Sequence, residues 1–111
     1  MFEVKTFEEF EKIVKTNKII IVDFWAEWCL PCKILLPHLE NFENHYKGNV
    51  IVVKVNIDDC DEKMESIFEI TALPSIFFFN KGKFMKEQTI VGSNIGDIYE
   101  NTNLIITQFN S

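Results

Sequence analysis

Val22-Asp23-Phe24-Trp25-Ala26-Glu27-Trp28-Cys29-Leu30-Pro31-Cys32-Lys33 is the stretch on which the reading of this chain turns. It closes a nearly continuous apolar run, Ile19 to Trp25, and opens a segment with helical periodicity. A short apolar run of this kind suits a strand buried on both faces, as at the centre of an α/β sheet. Cys29 then falls at a helix N-terminus, where unpaired backbone N–H groups and the helix dipole favour an anion. A thiolate is an anion, so the position lowers the thiol pKa and makes Cys29 a nucleophile near neutral pH. Cys32, one turn on, is placed to close a disulfide onto it.

Outward from this stretch the pattern alternates. Phe2–Val4 is a short strand. Thr6 begins a helix with a capping box to Glu9 and an apolar stripe at Phe7, Phe10, Ile13 and Val14. After the Ile19–Trp25 strand, a helix is expected from about Cys32 to Tyr46, with Leu35, Leu39, Phe42 and Tyr46 on one face and Pro37 inside it. Val50 to Ile57 is the next buried strand. Asp59 with Glu62 is expected to cap a short helix carrying Met64, Ile67 and Phe68. Ser75–Phe79 and Phe84–Val91 flank Asn80-Lys81-Gly82-Lys83 as a hairpin. Asn94 caps a last helix with Ile95, Ile98, Tyr99, Ile105 and Phe109 inward, weakened by Gly96 and Asn101-Thr102-Asn103. The order β α β α β α β β α predicts a single α/β domain over residues 1–111, with parallel strands and an antiparallel edge.

Composition narrows the function classes. The 111 residues are 47% hydrophobic and 25% charged, which is ordinary for a globular chain. A net charge of −6 argues against nucleic acid or an anionic membrane as partner. All basic residues are lysine, so no bidentate guanidinium fork exists for phosphate. The N-terminus lacks the basic-then-apolar pattern of a secretory signal, and Asp23 and Glu27 interrupt the longest apolar run. With three cysteines, a disulfide framework is not indicated. A reducing, intracellular setting is expected, where a CxxC is redox-active or metal-binding. A zinc site needs four ligands, and only Cys60, His38 and His45 remain as soft donors, with no second CxxC-like spacing. Cys60 is expected to be a free, half-buried thiol and the two histidines to face solvent.

Several separated segments together resemble the thioredoxin family over essentially the whole chain. The Val22–Lys33 segment resembles the family's active site at every position but Leu30, where glycine is usual. Pro37 resembles the helix-kinking proline, and Lys54-Val55-Asn56-Ile57-Asp58 the strand with a buried lysine. Thr71-Ala72-Leu73-Pro74-Ser75 resembles the cis-proline loop, and Val91-Gly92 the turn beside it. The resemblance implies a thioredoxin fold, a central mixed five-stranded sheet flanked by four helices.

It also implies a protein-disulfide reductase. Cys29 attacks a target disulfide, Cys32 resolves the mixed disulfide, and Asp23 takes the proton of Cys32 with Lys54 as the nearby charge. Trp28, Leu30, Pro31, Leu73, Val91 and Gly92 would form the rim that binds substrate, and a cis Leu73–Pro74 bond would expose the Leu73 backbone to an extended target segment. No bound cofactor is implied, because the dithiol is itself the redox centre. The implied partners are an NADPH-dependent thioredoxin reductase and targets such as peroxiredoxins and ribonucleotide reductase, met by a monomer in the cytoplasm. Leu30 keeps two rivals in view. One is a disulfide oxidase or isomerase, since a change of about 30 mV corresponds to only about 1.4 kcal/mol. The other is a docking subunit that uses the fold without turnover.

Overall fold

Seven consecutive side chains of one strand, Ile19–Trp25, are all buried, and the molecule is built on both sides of it. The structure is a computed structural model and describes residues 1–110, so the expected domain 1–111 extends to Ser111, outside the described residues. The elements are β1 (Phe2–Glu3), α1 (Phe7–Val14), β2 (Ile19–Trp25), α2 (Leu30–His45), β3 (Val50–Asn56), α3 (Glu62–Ser66), β4 (Ser75–Asn80), β5 (Lys83–Phe84), β6 (Ile90–Val91) and α4 (Ile95–Phe109). The sheet order is β1-β3-β2-β4-β5, with β6 also paired to β4. β1, β3 and β2 run parallel, and β4 runs antiparallel to β2 and to the two short strands.

Strand alternation divides the core into two layers. Ile20, Val22 and Phe24 of β2 point to one face, with Val53, Val55, Phe77 and Phe79. Phe10 and Val14 of α1 and Met64 of α3 cover that face, and Phe68 stacks edge-on against Phe10 and Phe24. Ile19 and Ile21 point to the other face with Val50, Val52, Ile76 and Phe78, under Leu35, Leu39 and Phe42 of α2 and Ile98 and Ile105 of α4. Asp23, next in the odd-numbered series of β2, faces this second layer, beneath the helix that carries Cys32.

Local sequence explains most boundaries. The Thr6–Glu9 capping box is present in both directions. Asn80 and Lys83 pair across Lys81 and Gly82, both at positive φ, which is the two-residue hairpin geometry. α4 survives Gly96 because Asn94 caps it and Ile98 and Ile105 are buried, while the buried Thr102 hydroxyl is satisfied by donating to the Ile98 carbonyl.

Five boundaries and faces differ from the sequence reading. α2 begins at Leu30 instead of near Cys32, since Pro31 is compatible with a first helical turn. α3 is capped by Asp61, not Asp59; Asp61 accepts from the Met64 N–H, while Asp59 pairs with Lys5. The strand expected over Phe84–Val91 is split into β5 and β6 by a 3₁₀ turn at Lys86–Gln88, so the sheet has six strands where five were expected. β3 ends at Asn56, and its Ile51, Lys54 and Asn56 are only half-buried. Phe109 is exposed at the last turn of α4.

Candidate active site

Three loops at one end of the sheet converge on the cysteines: the turn after β2, the segment before β4 and the turn after β6. Trp25 ends β2, and a tight turn closed by the Cys29 N–H to the Ala26 carbonyl delivers the chain to α2. Cys29 is the N-cap of α2, extended at φ −95° and ψ 100°, and its Sγ accepts from the Cys32 N–H at 3.3 Å. A sulfur thus stands where a capping oxygen usually stands, among the free N–H groups of the first turn. Cys29 and Cys32 are joined by a disulfide, with Cα atoms 5.3 Å apart. Cys32 is completely enclosed, whereas Cys29 retains 6% exposure. Only Cys29 offers an incoming group any access.

Behind the pair, Trp25 and Ala26 form an apolar wall, with Leu36, Ile57 and Leu73 packed against it. Asp23 is fully buried, and neither carboxylate oxygen has a hydrogen-bond partner. Its pKa is pushed up from 3.8 to about 7, because burial disfavours the charged form more than the Lys54 ammonium favours it. Lys54 lies opposite Asp23 in the parallel ladder. It is half-buried, not buried as expected, and its Nζ sits 5.5 Å from the Trp25 ring centroid. Among the described residues it makes no ion pair within 4 Å.

The Leu73–Pro74 peptide is cis. Pro74 is buried and its carbonyl accepts from the Gly92 N–H at 2.9 Å, while Val91 pairs with Ser75. Gly92 sits at φ +128°, a conformation that L side chains rarely adopt, although a Cβ there would meet nothing. This turn fastens Val91 beside the proline loop. Around Cys29 the rim is apolar and open: Trp28, Leu30 and Val91 are exposed, Pro31 likewise, and Leu73 and Gly92 half-buried.

The expected rim residues are therefore brought together, and two neighbours join them that sequence reasoning missed. Asp58 accepts a 2.7 Å hydrogen bond from the Trp28 indole, fixing a ring that is 71% exposed. In sequence Asp58 is one carboxylate in a solvated acidic cluster. Ile34, exposed on α2, lies four residues from Leu30, and that spacing was the available signal. Asp58→Ala should free the indole, shift its fluorescence and raise KM for protein disulfides about two- to fivefold, as expected for an exposed charge-assisted bond. An unchanged emission spectrum would show that the bond does not hold the ring.

His38 and His45 face solvent, and Cys60 is a free, half-buried thiol. Its pKa is raised, first by burial and then by Glu65 and other carboxylates. Among the described residues no cluster of three or more His, Cys, Asp or Glu side chains is placed to hold a metal.

A CxxC pair capping a helix above a mixed sheet, with one sulfur accessible and a cis-proline loop alongside, defines a thiol-disulfide oxidoreductase of thioredoxin fold. Comparison with known proteins agrees. The family model described as Thioredoxin matches residues 1–102, and the chain belongs to the thioredoxin family. Thioredoxin of Coprinus comatus is 35% identical over 82% of this chain and 84% of its own. The structure of Fasciola hepatica thioredoxin is 27% identical, with a TM-score of 0.85 over 94% of this chain and 98% of that one. A further structure, 26% identical with a TM-score of 0.82 over 93% of each chain, concerns the "thiol resolving mechanism in yeast mitochondrial 1-Cys peroxiredoxin via glutathione/thioredoxin systems". The chain is a protein-disulfide reductase by family, and disulfide-containing proteins are its class of target.

Proposed function

We propose that this chain is a cytoplasmic, monomeric thioredoxin that carries electrons from an NADPH-dependent thioredoxin reductase to several target proteins, peroxiredoxins and ribonucleotide reductase among them. The observation that carries the reading is the asymmetry of the cysteines: Cys29 retains exposure and caps α2, while Cys32 is sealed behind it.

The chemistry follows from that asymmetry. The Cys29 thiolate attacks one sulfur of the target disulfide, forming a mixed disulfide and releasing the other sulfur as a thiolate, which takes up a proton. Cys32 loses its proton to Asp23 and attacks Cys29 Sγ, so that the Cys29–Cys32 bond forms as the mixed disulfide breaks. Two electrons pass to the target, which leaves as a dithiol. Asp23 suits the proton-accepting role because its pKa of about 7 matches the operating pH, and Lys54 sets how far burial raises it. The exposed rim and the Leu73 backbone, unpaired among the described residues, suit an extended protein segment. The similarity to the structure from work on yeast mitochondrial peroxiredoxin supports that class of target.

The test is insulin reduction driven by NADPH and a thioredoxin reductase. Turnover dependent on all components is expected. Reduction driven by dithiothreitol but not by the reductase would overturn the electron-donor assignment. A dithiol held reduced by glutathione alone would favour an oxidase or isomerase instead.

A further inference from the structure

Trp28, Leu30, Ile34 and Val91 are four of the nine exposed large hydrophobic side chains among the described residues. Trp28 and Leu30 flank Cys29 in the chain, Ile34 stands one turn beyond Leu30 on α2, and Val91 pairs with Ser75 beside the cis-proline loop. Isolated exposed aliphatics are ordinary, but a contiguous group at a reactive atom is not. Leu30 and Ile34, 67% and 58% exposed, stand one turn apart on α2 and so present one continuous apolar face. Exposed Pro37, at the next helical spacing, continues it. The stripe ends there, for the next solvent-facing residues of α2 are His38, Glu40, Asn41 and Asn44. Lys33, which precedes Ile34 on α2, is paired with Glu27 at 3.4 Å, so its charge is compensated. It is continuous with the rim and confined to the first two turns beyond the nucleophile.

We propose that Leu30 and Ile34 form a selectivity ridge that docks an apolar side chain flanking the disulfide of the target protein. The inference rests on the reductase reading above and names a preference within it. With glycine at position 30 the ridge would lose its half nearest the sulfur, so the bulky residue makes Ile34 part of the docking surface. The occupant is a target segment with Leu, Ile, Val or Phe near the attacked cysteine. A polar residue there would leave the ridge facing its hydration shell and gain nothing from burial.

Two synthetic peptides with the same disulfide loop, flanked by Leu in one and Gln in the other, provide the test. Second-order rate constants are measured with pre-reduced protein in a single turnover, followed by mass spectrometry. The wild type should prefer the Leu peptide about tenfold, equivalent to about 1.4 kcal/mol. Ile34→Gln should reduce the preference to about threefold, and Leu30→Gly with Ile34→Gln to near unity. Ile34→Leu should retain it, which separates lost apolar surface from a disturbed helix. Equal rates for both peptides with the wild type, or a preference unchanged in the double variant, would overturn the ridge. Reduction of neither peptide by the wild type would instead overturn the reductase reading. Sedimentation equilibrium covers the remaining occupant: a dimer broken by Ile34→Gln, with no peptide preference, would assign the ridge to a second copy of this chain.

Discussion

Cys29→Ser should abolish protein-disulfide reduction, by on the order of a thousandfold or more, while Cys32→Ser should attack once and remain attached to its target. The two outcomes differ because the sulfurs differ in position. Cys29 has the access and the helix N-terminus; a serine hydroxyl in its place stays protonated at neutral pH and does not attack sulfur. Cys32 is enclosed, so it reaches no target sulfur, and its partner is Cys29 alone. Without Cys32 the mixed disulfide has no internal resolving thiol, and target release waits on an external one. Turnover is read by insulin precipitation, and the covalent complex by non-reducing electrophoresis of a lysate exposed to Cys32→Ser. A complex trapped by Cys29→Ser and not by Cys32→Ser would reverse the assignment of the two sulfurs. Failure of both variants to trap, with an inactive wild type, would leave the fold as a docking module.

How far the sequence discloses this site depends on whether each feature is local. β2 was legible because its seven apolar-rich residues allow no amphipathic alternative, and the Cys29 cap was legible because the CxxC follows that strand directly. The Lys81-Gly82 hairpin was legible because its turn chemistry is contained in two residues. The α3 cap was not, because Asp58, Asp59 and Asp61 are equivalent in sequence. Tertiary partners distinguish them: Lys5 for Asp59, the Trp28 indole for Asp58, and the Phe7 and Met64 N–H groups for Asp61. The split between β5 and β6 follows from a similar cause. Met85 turns inward into the α2/α4 layer and Thr89 bonds back to the Lys86 carbonyl, an arrangement that β-propensity does not register. Phe109 counted as inward by periodicity alone, but at the last turn of α4, whose end the Asn80–Asn110 side-chain pair fastens to β4, its ring is left half exposed. Ile34 was omitted by the opposite bias, since an apolar residue outside the core stripe has no structural reason to be noted. Asp23 was legible as a buried acid, but the absence of any hydrogen bond to it was not.

Oxidised wild-type protein should become less stable as pH rises from about 4 to above 7, and Asp23→Asn should remove that loss. In the unfolded chain the Asp23 carboxyl ionises near its ordinary 3.8; in the folded chain it does so at about 7, raised by burial and lowered only in part by Lys54. Between those values the folded state holds the proton that the unfolded state has released. Stability associated with this group is therefore fully present below about pH 4 and falls as pH rises through about 7. The full gap corresponds to about 4 kcal/mol, and relaxation around the charge brings the expected loss to roughly 2–4 kcal/mol. Asparagine keeps the shape without the ionisation. Near pH 8.5 Asp23→Asn should exceed the wild type by about that amount, or about 10 °C or more in Tm, and the two should converge near pH 4. Urea denaturation of the oxidised proteins at both pH values checks this, and equal stability near pH 8.5 would show that the buried charge is already compensated. The same substitution should slow resolution of the mixed disulfide near neutral pH, because Cys32 then lacks its proton acceptor, and unchanged resolution kinetics would remove Asp23 from the mechanism. A gain in stability together with a loss in resolution rate is the signature of a carboxyl retained for proton transfer at a cost to the fold.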